Sequence, residues 1–302
     1  RLSINTTARM EYGASKLSGK VNLYPEDELP NTIEHKFPTL GASFQYSLNQ
    51  SNFYGGWSQA YRPVVLKDII PGSVYEKVNK DLKDAFGYNA EIGYRGNAGW
   101  LQWDIDAFYV LYKNRLGTVA QTDADNNLII YRTNIGDSHT KGIEAFLQGD
   151  WVIGNSTILS LFNATSLMDA RYKNATFRSG NENISVDGNK VESAPAVISR
   201  SGVTLKYSAW TFSAKYSYTA ESFADALNTK TPPASGATGL VPAYSLVDIN
   251  LGVKVNERLR LQANISNLTN ESYFAKRPQF YPGPGIWPSD GRSFSATVKI
   301  NL

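Results

Sequence analysis

Phe294-Ser-Ala-Thr-Val-Lys-Ile-Asn-Leu302 closes the chain. One parity carries Phe294, Ala296, Val298, Ile300 and Leu302; the other carries Ser295, Thr297, Lys299 and Asn301. Side chains alternate faces along a strand, so this segment reads as a strand with one dry face and one wet face. The same rule recurs upstream. Trp210, Phe212, Ala214, Tyr216 and Tyr218 share a parity, as do Leu259, Leu261, Ala263 and Ile265, and Val247, Ile249, Leu251 and Val253. Leu101, Trp103, Ile105, Ala107, Tyr109 and Leu111 form another apolar row, and Tyr88, Ala90, Ile92 and Tyr94 another. Weaker alternation covers 2–12, 37–47, 52–62, 139–151 and 197–207. The stretch 156–172 is strand-like with no assignable parity.

The spacing gives about twelve strands of roughly nine to eleven or more residues, the length a tilted strand needs to cross a bilayer. No phased strand carries a charge on its apolar face, as lipid requires, since Arg or Lys at mid-membrane costs about 2–4 kcal/mol. A soluble β-sandwich also alternates, but its strands usually run about 5–6 residues. The connections settle the choice. Short turns near 48–50, 96–99, 152–155, 208–209 and 255–257 alternate with long polar stretches at 13–36, 63–85, 116–138, 173–196, 221–242 and 269–291. Tight turns at one end and long loops at the other is the outer-membrane pattern. Tyr46, Tyr94, Trp151, Tyr207 and Trp210 stand beside the short turns, where an interfacial girdle would lie.

The expected fold is therefore all-β, an antiparallel transmembrane β-barrel. Residues 1–302 read as one barrel portion, about the last twelve strands of a plugged barrel of about 22. An open edge cannot lie in lipid, and the chain enters at Arg1 inside an alternating strand with no signal region, so earlier strands and a plug are expected outside it. Composition agrees. The 302 residues contain no cysteine and a net charge of +3, with no Lys/Arg run that would suit nucleic acid. No apolar run approaches a membrane-spanning helix.

The closing third resembles the C-terminus of TonB-dependent outer-membrane receptors. The residues are Val241-Pro-Ala-Tyr-Ser-Leu-Val-Asp-Ile-Asn-Leu251, Asn264-Ile-Ser-Asn-Leu-Thr-Asn270 with Tyr273, and Gly291-Arg292. Upstream, Ser58-Gln-Ala-Tyr-Arg-Pro63, Tyr88-Asn-Ala-Glu-Ile-Gly93 and Gly142-Ile-Glu144 are similar to the family's Arg-Pro, Tyr-Glu-x-Gly and Gly-Val-Glu strands, in the same order. Leu302 departs from the family's terminal aromatic. Ser222-Phe-Ala-Asp-Ala-Leu-Asn-Thr229, Gly239-Leu-Val-Pro242 and Gly285-Ile-Trp287 resemble ferric dicitrate-type siderophore receptors. The resemblance implies active import of a ferric chelate across the bacterial outer membrane. Energy would come from a TonB–ExbB–ExbD complex acting on the absent N-terminal region. Importers of haem or glycan, and a passive porin or adhesin, are the alternatives.

An anionic ferric chelate calls for cations at the mouth, because guanidinium matches carboxylate oxygens in pairs. Candidates are Arg62, Arg132, Arg171, Lys230, Lys276 and Arg277, with Tyr281 and Trp287 as stacking groups in the last loop. Each cation could instead pair with lipopolysaccharide or a neighbouring carboxylate. His35 and His139 are the only histidines, and an imidazole could ligate haem iron. Wet-face carboxylates Glu91, Asp104, Asp106, Glu144, Asp150 and Asp248 read as ion-pair partners of Arg95, Lys206, Lys215, Arg258, Arg260 and Lys299. No hydrolase, P-loop or zinc-protease motif is present, so neither an enzyme nor a resident cofactor or metal is expected. The remaining expected contacts are outer-membrane lipid and lipopolysaccharide.

Overall fold

The computed structural model describes the chain except residues 22–23, 27–30, 74, 123–127, 279–283 and 302. In chain order the elements are β1 (Leu2–Leu17), β2 (Asn31–Leu48), β3 (Ser51–Arg62), α1 (Leu66–Ile69), β4 (Glu76–Val78), β5 (Ala85–Ala98), β6 (Leu101–Thr122), β7 (Leu128–Ile153), β8 (Thr157–Lys173), β9 (Thr176–Ser179) and β10 (Glu182–Ser185). There follow β11 (Val197–Tyr207), β12 (Trp210–Thr219), β13 (Ser222–Phe223), β14 (Leu240–Val241), β15 (Tyr244–Lys254), β16 (Leu259–Ser266), β17 (Phe274–Lys276), β18 (Trp287–Pro288) and β19 (Ser293–Ile300). Twelve of these strands form one meander, in the order β1-β2-β3-β5-β6-β7-β8-β11-β12-β15-β16-β19. Each is antiparallel to the next, and β4 adds in parallel to the upper part of β7.

Parity is conserved from strand to strand across the sheet. Leu101, Gly149, Leu161, Val203, Ala214, Ile249, Ile265 and Phe294 stand opposite one another in succession. This register places every apolar row of the phased strands on one face. It also fixes the face of β8: Leu159, Leu161, Asn163, Thr165 and Leu167 point outward. Asn163 and Thr165 broke the alternation that sequence reading looked for. At the short-turn end the outer aromatics touch. Trp100 stacks on Trp151 at 5.0 Å, and Tyr94 lies 4.5 Å from Phe53 and 5.7 Å from Trp103.

The turns explain the alternation of connection length. Asn49, Gly99 and Ser208 have positive φ, as two-residue hairpins require for their twist to match the strands. The opposite end differs from expectation at two connections. β1 and β2 pair up to Leu17↔Asn31, and β6 and β7 pair up to Thr122↔Leu128, so those connections shrink to 18–30 and 123–127. The ladders continue there with polar residues on both faces. Sequence above the apolar band that mixes polar residues with Val119, Ile129 and Ile130, without a clean alternation, looks like loop but folds as hairpin. The other long connections remain long, and Leu302 lies outside the described residues.

Candidate functional site

The four long connections build a crown on the sheet's upper end, held by three knots. The first fixes 63–84. Arg132, on the β7 extension, gives Nη2 to Glu76 at 2.7 Å and Nη1 to the carbonyls of Lys67, Asp68 and Ile70 at 2.8, 3.1 and 3.4 Å. One guanidinium thus ties α1, β4 and β7 together. Arg62 donates to both oxygens of Asp68 at 3.1 Å. At the base, Asp84 accepts from Tyr61 Oη at 2.6 Å and the Val64 amide at 2.7 Å, with His35 Nδ1 at 3.6 Å.

The second knot joins 174–196 to 220–243. Tyr172, Ala175, Val186 and Ala226 are buried together, with Phe177, Val191 and Leu227 packed on them. The Tyr172 hydroxyl donates to Glu192, which Arg115 approaches to 3.6 Å. Burial, then the bond to Glu192, pushes this phenol well above its usual range, so it remains a donor. Asn228 exchanges two 2.8 Å hydrogen bonds with the Lys190 backbone. Asp225, buried, accepts from Leu227 N, Thr229 Oγ1 and Gly239 N at 3.1, 3.0 and 3.3 Å. Gly239, at φ +118°, packs against Pro232, which leaves no room for a Cβ. The stretch Ser222–Thr229 with Gly239 is therefore a folding motif.

The third knot joins 220–243 to 267–292. Arg277 donates to Leu240 O and Gly236 O at 3.0 Å each and covers the Phe274 ring at 4.8 Å. Asn267, buried at φ +50°, exchanges hydrogen bonds with the Glu271 backbone through its side chain, and its backbone amide donates to Asp248 Oδ1 at 3.0 Å. Tyr273 then packs its ring, tilted, 4.5 Å from that of Tyr244. Lys276 stands opposite Trp287 in the β17–β18 pair. Both are exposed, and with Tyr273, Ala275, Pro288, Ser289 and Asp290 they line an open recess.

The expected ligand residues thus divide. Arg62, Arg132, Arg171 and Arg277 each spend their guanidinium on carboxylates or backbone carbonyls of the crown. Arg171 binds Asp169 at 2.9 Å and Gly188 O at 2.8 Å. Lys276 and Trp287 come together; Lys230 is exposed in the neighbouring loop; Tyr281 lies outside the described residues. The histidines are far from the recess-forming elements: His35 has a side chain only 10% exposed beside Asp84, and His139 stacks on Tyr109 on the outer face. Sequence reading missed Asp84, Glu192 and Asp225. An Asp two and four residues before backbone amides it could accept, as in Asp225-x-Leu227-x-Thr229, was the available signal.

Below the crown the inner face is polar but not laced with ion pairs as expected. Lys215 meets Asp248 at 3.0 Å. Elsewhere like charges adjoin: Asp106 stands opposite Glu144, and Asp104, Asp106 and Glu144 line one recess with Arg200. Arg95 stands opposite Asp104 in the register, yet its Nε donates to Asn52 at 3.1 Å and its guanidinium lies over the Tyr54 ring. Tyr54 takes Asp104 itself, at 2.7 Å. Alternation assigns a charge to a face; lateral register, which alternation does not contain, assigns its partner.

The family model described as TonB dependent receptor-like, beta-barrel matches residues 1–268. Among solved structures, the unliganded ferric citrate transporter FecA superposes with a TM-score of 0.76 at 18% identity, over 99% of this chain and 42% of that one. The siderophore receptor PiuA from Acinetobacter baumannii gives 0.72 at 20% identity, over 99% and 40%. The copper transporter OprC gives 0.71 at 14% identity, over 99% and 45%. This chain therefore spans less than half the length of the structures it matches, and identities this low speak for the fold. The outward apolar rows are the lipid-facing surface of a β-barrel wall, and the chain belongs to the TonB-dependent receptor β-barrel family of the bacterial outer membrane.

Proposed function

We propose that this chain is the C-terminal wall of an outer-membrane importer of a ferric chelate, with ferric citrate as the ligand. Further strands would lie between β1 and β19 and a plug inside. A TonB–ExbB–ExbD complex would supply the energy through the N-terminal region. The observation that carries the reading is the crown: long connections knotted into a defined shape above a polar inner wall, in a family whose structural neighbours include FecA and PiuA. In this reading Lys276, Trp287 and Lys230, with Tyr281, meet the chelate, and the four arginines hold the loops that shape its site. An ammonium suits a compact carboxylate-rich anion as a point charge. Among the described residues no group of three His, Asp or Glu could hold a metal ion, so a metal would be recognised through its chelate.

Calorimetry on the full-length receptor tests this, with iron-free citrate as control. Ferric citrate should bind, and Lys276→Ala with Trp287→Ala should weaken it by about tenfold or more, the scale of losing one charge-assisted contact and one stacked ring. No binding of ferric citrate would overturn the ligand. Binding unchanged in the double variant would overturn the recess.

A further inference from the structure

The inner face of the last ladder strands changes character on the way down to the short turns. Its upper rows are satisfied: Lys215 holds Asp248, Asn250 donates to Asn264, and Asn264 donates to Ser295 at 3.2 Å. The next row sets Thr211, Gly252, Gln262 and Thr297 side by side, and the lowest sets Lys254, Arg260 and Lys299. Arg260 thus stands directly opposite a lysine on each side, an arrangement that like-charge repulsion disfavours. Below Asp248 the inner rows of β15, β16 and β19 hold no carboxylate. The acid of the adjoining turn, Glu257, is 89% exposed and is held by Lys254 at 2.6 Å. Among the described residues the side chains of Arg260, Lys299, Gln262 and Thr297 have no hydrogen bond or ion pair. At Gly252 neither backbone nor packing requires a glycine, since its φ is not positive and a Cβ would meet nothing nearer than Gln262 Cγ at 3.7 Å. Its missing side chain keeps open the space just above the cations.

We propose that Arg260, flanked by Lys254 and Lys299 and with Gln262 and Thr297 above, binds a compact polycarboxylate on the inner wall at its short-turn end. It would be a second anion site, on the path by which an imported anion leaves the lumen. Neighbouring strands lie about 4.8 Å apart and successive residues of one face about 6.8 Å, so these donors cover roughly 10 by 7 Å. That suits a small anion with two or three carboxylates and is too little for an extended acidic segment. The Arg260 fork matches one carboxylate in pairs, the two lysines act as point charges beside it, and the amide and hydroxyl above can donate to what remains. Higher on the same wall Asp104, Asp106 and Glu144 line a recess that repels anions. At the base, by contrast, the low-dielectric wall focuses the field of three cations into the lumen. The choice of a polycarboxylate and the direction of travel rest on the import reading; the site itself rests on the register.

The test is the rate at which phenylglyoxal modifies Arg260 in the full-length receptor in detergent, read by peptide mass spectrometry. The probe is tricarballylate, a tricarboxylate that needs no iron. Arg200, on the inner wall beside Asp104, Asp106 and Glu144, is the internal reference. At about millimolar concentration, where a few exposed ion pairs hold an anion, tricarballylate should slow modification of Arg260 about fivefold and leave Arg200 unchanged. Acetate at equal ionic strength should slow neither. Lys254→Gln and Lys299→Gln should each raise the concentration needed about threefold to fivefold, the scale of one exposed ion pair. Should a variant fail to fold, the contrast between tricarballylate and acetate on the wild type decides. Equal slowing by acetate would reduce the effect to screening, and unchanged protection in both lysine variants would remove the site; either overturns the proposal. An Arg260 that fails to react before any anion is added would be covered by another part of the receptor, and the proposal would fall in favour of a protein contact. Lys276→Ala with Trp287→Ala should leave the protection of Arg260 unchanged, and Lys299→Gln should leave ferric citrate binding at the recess unchanged, so each reading can fail alone.

Discussion

Arg132 shows how much a single side chain carries in the crown. Its fork reaches three carbonyls at the end of α1 and the Glu76 carboxylate, which is 9% exposed. Removing it leaves that carboxylate buried without a counter-charge, which costs about 3 kcal/mol in the local stability of 63–84. Arg132→Ala in the full-length protein should therefore raise amide exchange across 63–84, leaving 174–196 unchanged. Arg132→Lys should recover only part of the protection, because a point charge cannot reproduce the planar fork. Unchanged exchange in Arg132→Ala would show that the clamp contributes nothing. From sequence, Arg132 was legible as a basic residue near the mouth and nothing more. Its partners lie 56 to 65 residues earlier in the chain, and no local pattern encodes that distance. Asn267 is the contrasting case, since its partners Glu271 and Asp248 sit close in sequence or on the paired strand, and the Asn-Leu-x-Asn motif announced it.

Between residues and molecule, the connections behave as coupled units. Tyr172 and Glu192 anchor 174–196, and the shared core binds 220–243 to it. Tyr172→Phe removes a hydrogen bond to a carboxylate, a loss of about 1.5–3 kcal/mol. Exchange should then rise in 174–196 and 220–243 together; a rise in only one of them would refute the coupling. On the lipid face of β8 and β11 a second unit was illegible for a related reason. Asn163 Nδ2 donates to Ser199 and Ser201 at 3.3 and 2.9 Å, Thr165 donates to Asn163 Oδ1 at 2.9 Å, and Thr165 and Ser199 share a 2.8 Å bond. The hydroxyls satisfy one another, which lets polar groups occupy a face that alternation reserves for apolar ones. Thr165→Val should destabilise the folded receptor by about 0.6 kcal/mol, the usual worth of such a bond in a bilayer. Replacing all four by apolar residues should cost no more than that, since no unmatched polar group remains. Reversible urea unfolding in phospholipid vesicles measures both. A quadruple variant much weaker than Thr165→Val would mean that the quartet serves something outside the sheet.

At the scale of the molecule, most of the fold was legible because lipid imposes a rule on every second residue. Strand number, the short turns and the phased outward rows follow from that rule, and the register of twelve strands agrees with them. What escaped was the polar part, in the ladders above the band and the pairing of inner charges, where no such rule applies. The same rule makes a demand on the two outermost strands. β1 runs for 16 residues and β19 for 8, and among the described residues each has a neighbour on one side only. In hydrocarbon every backbone group left unpaired costs several kcal/mol. A row of them along β1 would exceed the whole stability of an ordinary domain, about 5–15 kcal/mol. Both edges must therefore be paired in the membrane, and in the proposed receptor the partners are the strands preceding β1 in the full chain. Amide exchange of the full-length protein in nanodiscs should find the amides of β1 and β19 as slow as those of β6 and β7 at equal depth. Fast exchange confined to these two strands would mean that the edges stay open in the bilayer, and the proposed closed barrel would have to be abandoned. Equal protection would show that both edges are paired in the bilayer, as any closed barrel requires.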